Sequence, residues 1–523
     1  MEINKNFYYN KIYLKERNLE KDYKVRKMNK FLEDLKDATN YVYTENGALA
    51  HKTTNNAVYD MFSLGAAYRV RSNEDCILLF KNAFEENETL ALKCLFYLRD
   101  IRGGQGERRF FRTCFKWLCD EHPEAAKRNL INISEYGRWD DLIYAAEGTG
   151  LKDQAFAILK EQLALDLASK TPSLLGKWLP SENASSKKTK KMATAFREYL
   201  DMTHKQYRKI LSTLRQKINI VERLMSENRW DEIEFDKIPS KAGLVYRNAF
   251  ARRDILAKKY EAFMKDKSTK VNAASLFPYE IVEKAIDEFG HCYYWRNNRP
   301  TDLSDPTRLA LNKYWENLPD YLKGEDCSMM CVVDTSGSMW GRPIAVAISL
   351  GLYCAERIGE PFKNYFISFS REAKLIKTEG IDFVDKVQRI YYQNLCENTN
   401  LDSVFNLLRT TALRDPAARK SMPKTIVVIS DMEIDGGSTW GKDNAATHME
   451  RIRQKWEQDG LTLPHLVYWN VESRNENKFL DSGDDVTFVS GCSPVIFQSV
   501  LTGKTGYQLC LEVLNGERYN AVK

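Results

Sequence analysis

The hydrophobic period of the chain changes once, near Asp326, and that change limits the fold more than any other feature. Before it, apolar residues recur three or four positions apart, the period of helices packed on one face. After it, short unbroken apolar runs alternate with amphipathic stretches, as in parallel strands joined by helices. The clearest run, Met329-Met330-Cys331-Val332-Val333, stops at Asp334. Further strands are expected at 365–369, 425–429, 466–469 and 486–489, with helices near 343–358, 401–413, 448–458 and 494–501. This alternation predicts a doubly wound α/β sheet.

Upstream, residues 73–87 place Ile77, Leu78, Phe80 and Phe84 at helical spacing, and 88–98 follow with Leu90, Leu92, Cys94, Leu95 and Leu98. Gly103-Gly104-Gln105-Gly106 breaks the pattern, and 107–119 resume it with Phe111, Cys114, Phe115 and Leu118. Short helices joined by short turns predict an all-α, HEAT-like helical-repeat module without a strict period. The span 180–191, ending in Lys187-Lys188-Thr189-Lys190-Lys191, reads as an exposed loop, and the turn-rich stretch 299–319 as a linker. The expected organisation is a charged N-terminal extension at 1–40, a helical module at 41–323 and an α/β domain at 324–523.

Composition narrows the class. The 523 residues are 43% hydrophobic, enough for folded cores. Mean hydropathy is −0.50, and no apolar stretch reaches the roughly 18 residues of a membrane span. The charged N-terminus argues against secretion, so a cytoplasmic protein is expected. The 11 cysteines include no Cys-x-x-Cys pair and read as reduced, and the 6 histidines form no helix-face cluster, so a thiolate or imidazole metal site is not expected. The net charge of +6 divides unevenly: 22 basic against 25 acidic residues from Asp326 onward, 56 against 47 before it. Everything before Asp326, the N-terminal extension included, is therefore near +9 and the α/β part near −3.

The strongest chemical signal is Asp334-Thr335-Ser336-Gly337-Ser338, directly after the first strand of the α/β part. Ligands of open α/β sheets bind outside the carboxyl ends of strands, where this loop belongs. The strand at 425–429 leads into Ser430-Asp431 at the same edge, and Asn398-Thr399-Asn400 before a helix adds a third hydroxyl. Hydroxyl and carboxylate oxygens suit a hard, octahedral Mg²⁺ or Mn²⁺. These residues resemble the metal-ion-dependent adhesion site (MIDAS) of the von Willebrand factor A domain: Asp334, Ser336 and Ser338 match its first motif, Thr399 its second and Asp431 its third. The resemblance implies hydroxyl contacts from Ser336, Ser338 and Thr399, carboxylate ligation by Asp334 and Asp431, and one position open to an acidic side chain of a protein partner.

A second resemblance spans both parts. Gly137-Arg138-Trp139-Asp140-Asp141, Leu179-Pro180-Ser181, Asn228-Arg229-Trp230-Asp231 and Lys237-Ile238-Pro239-Ser240-Lys241 are similar to the family labelled domain of unknown function 2828. So are residues 334–339 and Ser430-Asp431-Met432-Glu433. The architecture resembles the TROVE/Ro ribonucleoproteins, a helical module followed by an A domain, which implies a structured or single-stranded RNA partner.

On its own residues, the helical part offers Arg99, Arg102, Arg108, Arg109 and Arg112 around the glycine-rich turn, and Lys187, Lys188, Lys190 and Lys191 further on. Such clusters suit phosphate contacts, or simply a solvated face. No base-stacking platform is evident. Gly103-Gly104-Gln105 is too short and too isolated to read as a peptidyl-transfer loop, and it lacks the strand and Lys-Ser/Thr ending of a phosphate-binding loop. The expectation is a non-enzymatic, ribonucleoprotein-type RNA-binding protein whose A domain binds a partner through Mg²⁺. The alternative is a metal-dependent protein-interaction adaptor without nucleic acid. No general base or activated nucleophile is evident beside Asp334 and Asp431, although Glu433 and Asp435 are near in sequence.

Overall fold

The computed structural model describes residues 39–218, 220–289, 305–322, 328–369, 372–393, 399–435, 448–481, 483 and 486–523. Nearly all of the expected N-terminal extension lies outside them.

A short antiparallel hairpin, β1 (Tyr41–Tyr43) and β2 (Leu49–His51), precedes the helices. It was not anticipated, because three-residue strands carry too little alternation to read. Helices then follow in quick succession: α1 (Ala57–Leu64), α2 (Asn73–Glu86), α3 (Glu88–Arg99), α4 (Arg108–Glu121), α5 (Pro123–Asn129), α6 (Ile133–Tyr136), α7 (Trp139–Ala146) and α8 (Lys152–Ala168). Side chains set their starts. Asn56 caps α1, Ser72 and Asp75 form a capping box on α2, and Asn87 caps α3. Phe96, Phe111, Phe115 and Tyr136 knit α3, α4 and α6 together through ring contacts of 5.2–6.1 Å.

The array continues through α9 (Leu175–Trp178), α10 (Lys187–Tyr199), α11 (His204–Lys217), α12 (Val221–Ser226), α13 (Ser240–Arg252), α14 (Asp254–Lys265), α15 (Pro278–Phe289) and α16 (Pro306–Glu316). Two expectations need correction. Lys187–Lys191 is the start of α10, because the Ser186 hydroxyl accepts the Thr189 amide and Met192, Ala193 and Phe196 bury one face. The stretch read as a linker contains α16, entered through Asp305 and Pro306 and held by Trp315, whose ring stacks on Phe383 at 4.4 Å. Residues 290–304 lie outside the described residues.

The α/β part is a six-stranded mixed sheet in the order β5-β4-β3-β6-β7-β8. The strands are β3 (Met329–Asp334), β4 (Tyr365–Phe369), β5 (Ala373–Lys377), β6 (Thr425–Ser430), β7 (His465–Asn470) and β8 (Val486–Ser490). All neighbours are parallel except β4 and β5. β5 was missed: it is an edge strand with mainly exposed side chains and two lysines. Chain order reverses between β3 and β6, the topological switch point of such a sheet.

Helices α17 (Arg342–Arg357), α18 (Phe383–Gln393), α19 (Leu401–Arg414), α20 (Pro416–Lys420), α21 (His448–Gln458), α22 (Ile496–Val500) and α23 (Gly506–Leu514) complete the part. Val333, Ile429, Trp469 and Val489 share one row across the sheet. Gly351 of α17 lies so close to Val333 that a Cβ would collide with it, and Trp469 packs on Phe497 of α22.

The two parts interlock. α15 lies on α17 and α18, while α1 packs on β8 and α23 on α1 and α3. The early and late helices also meet, since Gly106 abuts the Phe277 ring just before α15. The helical path thus returns on itself, with the α/β part joining its two ends. The described cysteines are buried and free, and no described helix is long and apolar enough to cross a membrane.

Candidate functional site

The end of β3 and the end of β6 bring Asp334 and Asp431 to the same sheet edge. Asp334 is fully buried. Its Oδ2 accepts the Ser430 hydroxyl at 2.5 Å and its Oδ1 accepts the Ser336 amide at 2.9 Å. The Thr335 amide continues the ladder by donating to the Phe369 carbonyl at 3.2 Å, which fixes where the loop leaves the sheet. The loop then tightens into a 3₁₀ turn, Gly337–Met339, and the Ser336 and Ser338 hydroxyls come within 3.1 Å of each other.

Asp431 accepts the Glu433 amide at 3.2 Å and one Arg474 guanidinium nitrogen at 3.0 Å. The Ser338 hydroxyl lies near enough to ease its ionisation. Thr399 is buried, and its carbonyl accepts the Asp435 amide at 2.9 Å, tying the start of α19 to the loop after Asp431. The five predicted residues therefore share one edge of the sheet, with Ser336 and Ser338 in direct contact.

Electrostatics single this edge out. Burial pushes the Asp334 carboxyl above its ordinary range, with Asp435 adding like-charge repulsion. Asp431 is pushed up to about 7, first by burial and then by Asp334, against the pull of Arg474. Of these two buried carboxylates within repulsive reach, Asp431 has a cation beside it in Arg474, whereas Asp334 is held by hydrogen bonds to Ser430 and Ser336, and the Ser336 and Ser338 hydroxyls stand with them. That donor set fits a hard divalent cation. Among the described residues no three His, Cys, Asp or Glu side chains are grouped as they would be around a metal ion.

Glu433 and Asp435 serve the surrounding structure. Glu433 pairs with buried Lys478, accepts the Glu45 amide at 2.7 Å, and offers its carbonyl to Asn46 at 2.7 Å. Thr44 donates to the Ile434 carbonyl at 2.6 Å, and Gly47 bridges Asp435. The turn between β1 and β2 thus rests on the loop carrying Asp431. Sequence reasoning missed Arg474, Lys478 and this turn, all brought in by tertiary contacts without local signal, and it named Ser430 without its hydrogen bond to Asp334.

The basic candidates divide. Arg109 donates to the carbonyls of Tyr68 and Arg71 and to Asn73, stapling α4 to α2. Arg112 grips Asp140 at 2.8 Å and Asp141 at 2.6 Å. Arg99 is buried against Asp141. Arg102 lies at the surface beside Glu135, and Arg108 is exposed. Lys187, Lys188, Lys190 and Lys191 are exposed on the first turns of α10, with Lys188 3.1 Å from Glu147. The glycine-rich turn is a packing device. Gln105 is buried and donates to the Tyr97 hydroxyl at 2.7 Å, and a Cβ on Gly104 would strike the Tyr97 carbonyl.

Residues 44–149 and 173–325 match the family described as domain of unknown function (DUF2828), and 328–513 match another, domain of unknown function (DUF7788). The motifs at 137–141, 179–181, 228–231 and 237–241 fall in the first match; those at 334–339 and 430–433, expected to belong with them, fall in the second. An uncharacterised protein of Acanthamoeba polyphaga mimivirus is 27% identical over 510 residues, covering 89% of this chain and 85% of its own. The crystal structure of the Deinococcus radiodurans RO (RSR) protein aligns over 88% of this chain and 96% of its own, at 13% identity and a TM-score of 0.38.

Proposed function

We propose that the chain is a non-enzymatic RNA-binding protein of ribonucleoprotein type, with a von Willebrand A-like domain that binds a protein partner through Mg²⁺ or Mn²⁺. The observation that carries the metal half is the buried Asp334–Asp431 pair, set among Ser336, Ser338 and Thr399 at the β3/β6 switch point. Those five residues would hold the ion, which when bound supplies a Lewis-acidic position for a carboxylate of the partner. Asp334 is oriented by Ser430 and the Ser336 amide, and Arg474 holds Asp431 in place. Glu433 is committed to Lys478 and to the β1–β2 turn.

The RNA half rests on the basic surplus of the helical part and on exposed Arg102, Arg108, Lys187, Lys190 and Lys191. Full-length protein, stripped of nucleic acid by nuclease and high salt, should bind single-stranded or structured RNA in fluorescence anisotropy. Affinity should fall steeply between 50 and 200 mM salt, by about 10³-fold if six phosphates are contacted. No salt-sensitive binding contradicts the reading. The internal roles of Arg109 and Arg112 favour the second reading, an adaptor without nucleic acid. Partner capture abolished by Asp334→Ala, with RNA binding absent, would establish it.

A further inference from the structure

Three sequence motifs that the metal site leaves unused meet at one place in the helical part. A cavity of about 260 Å³ opens between α7, α9, α10 and α11. Asp140 from the first motif lines it, with Lys177, Trp178 and Ser181 around the second, Thr189 from the lysine-rich start of α10, and Arg215 of α11.

Its charge is unbalanced. Arg99 and Arg112 are matched by Asp141 and Asp140, Lys177 by Glu222 at 3.5 Å, and Lys188 by Glu147. Two guanidiniums form no direct ion pair among the described residues. Arg215 donates only to the carbonyls of Gly176 and Leu179, at 3.0 and 3.2 Å, and to the Ser181 hydroxyl at 2.9 Å. Arg138, beside the cavity rather than in its lining, lies over the Trp178 ring at 4.2 Å and feels Asp140 and Asp141 without a direct ion pair. Burial pulls both below the ordinary arginine range, and for Arg138 the charge of Arg108 adds to it. Asp140 and Asp141 are already committed to Arg99 and Arg112, so these two part-buried cations leave a local positive surplus, which suits an anion.

The anion has a second part. Trp178 and Tyr144 give the cavity aromatic walls, and Arg112 and Lys188 sit over Tyr144 at 4.0 and 5.2 Å. Asp140 pairs with Arg112 through Oδ2, leaving Oδ1 without a hydrogen-bond partner. Planar bases stack on aromatic rings and on guanidinium planes, and arginine forks suit phosphate. The volume falls just below the range of about 300–1,000 Å³ for drug-sized ligands, which suits one nucleotide and excludes a duplex.

We infer that this cavity binds one nucleoside phosphate, its phosphate on Arg138 and Arg215 and its base against Trp178. The ligand is either a free nucleotide or one unit of a single-stranded RNA; the second source rests on the RNA-binding reading, the pocket chemistry does not.

The test uses the full chain freed of nucleic acid, with uridine and adenosine monophosphates, inorganic phosphate and a fluorescent ten-nucleotide single-stranded RNA as probes. The expected result is binding of the monophosphates or of the RNA, at least tenfold tighter than inorganic phosphate, and weakened at least tenfold in Arg138→Gln. Photo-crosslinking of a 5-iodouridine probe should label a peptide holding Tyr144 or Trp178, a readout that a merely structural role would not produce. Arg215→Lys, which keeps the charge, guards against misfolding and should bind more tightly than Arg138→Gln. Monophosphate binding without RNA binding supports the pocket and overturns the RNA reading. RNA binding that Arg138→Gln leaves unchanged, with crosslinks elsewhere, overturns the pocket and spares the RNA reading. Equal affinity for inorganic phosphate, or no binding of any probe, overturns the pocket.

Discussion

At the scale of single residues, buried charge organises this protein. Asp141 is fully buried and carries both Arg99 and Arg112, while also accepting the Arg138 amide at 2.9 Å. Removing it strands buried Arg99 and leaves Arg112 with Asp140 alone, so Asp141→Ala should cost about 3–5 kcal/mol in urea unfolding; a loss below about 1 kcal/mol would refute the arrangement. Asp60 sets a pH dependence. It accepts from Thr53 and from the Thr54 amide and hydroxyl, yet burial, the largest influence, pushes it up to about 6. The folded chain then holds this proton more tightly than the unfolded chain. Its contribution to stability is full below about pH 4 and is lost as pH rises through 6, at most about 3 kcal/mol. Stability curves of wild type and Asp60→Asn should therefore diverge in slope between pH 4 and 6; parallel curves would refute the assignment.

At the scale of elements, the sequence was most legible where a strand is buried on both faces. The run 329–333 and its stop at Asp334 mark β3, and the runs at 425–429 and 466–469 mark β6 and β7 within a residue. Hence the sheet edge and its five oxygen-bearing residues were readable from local pattern. Elements whose identity depends on distant partners were not. β5 is a solvated edge, the β1–β2 hairpin is held by Ile434 and Glu433 some 390 positions away, and α16 is fixed by Phe383. Lys187–Lys191 looks like a loop by composition but becomes helical through Ser186. Ser186→Ala should cost about 1 kcal/mol and speed amide exchange at 189–191; unchanged exchange there would show that packing alone starts α10.

At the scale of the whole molecule, the C-terminal residues lock the helical part to the sheet. Arg518 pairs with buried Asp100, the Tyr136 hydroxyl donates to the Arg518 carbonyl at 2.6 Å, and Asn129 holds the chain end at Lys523. With α15 on α17 at the other end, the parts should unfold in one cooperative transition, and Arg518→Ala should lower the stability of both by about 1–3 kcal/mol. Two separate transitions would show that the parts stand alone. This closure was invisible in the sequence because it joins Asp100 to Arg518 and Gly106 to Phe277. It also places the basic helical part and the acidic sheet edge in one body, with the β1–β2 turn resting on the loop after Asp431.

The claim on which the rest depends is that the buried Asp334–Asp431 pair is compensated by a divalent ion. Mn²⁺ titration of the full-length chain, followed by electron paramagnetic resonance, reads this directly. Wild type should take up one Mn²⁺ displaceable by Mg²⁺, and saturating Mg²⁺ at 100 times its Kd should raise unfolding stability by about 2.7 kcal/mol. Asp334→Ala, folded by circular dichroism, should take up none and gain no stability. Equal Mn²⁺ uptake by both proteins, or none by wild type, contradicts the account.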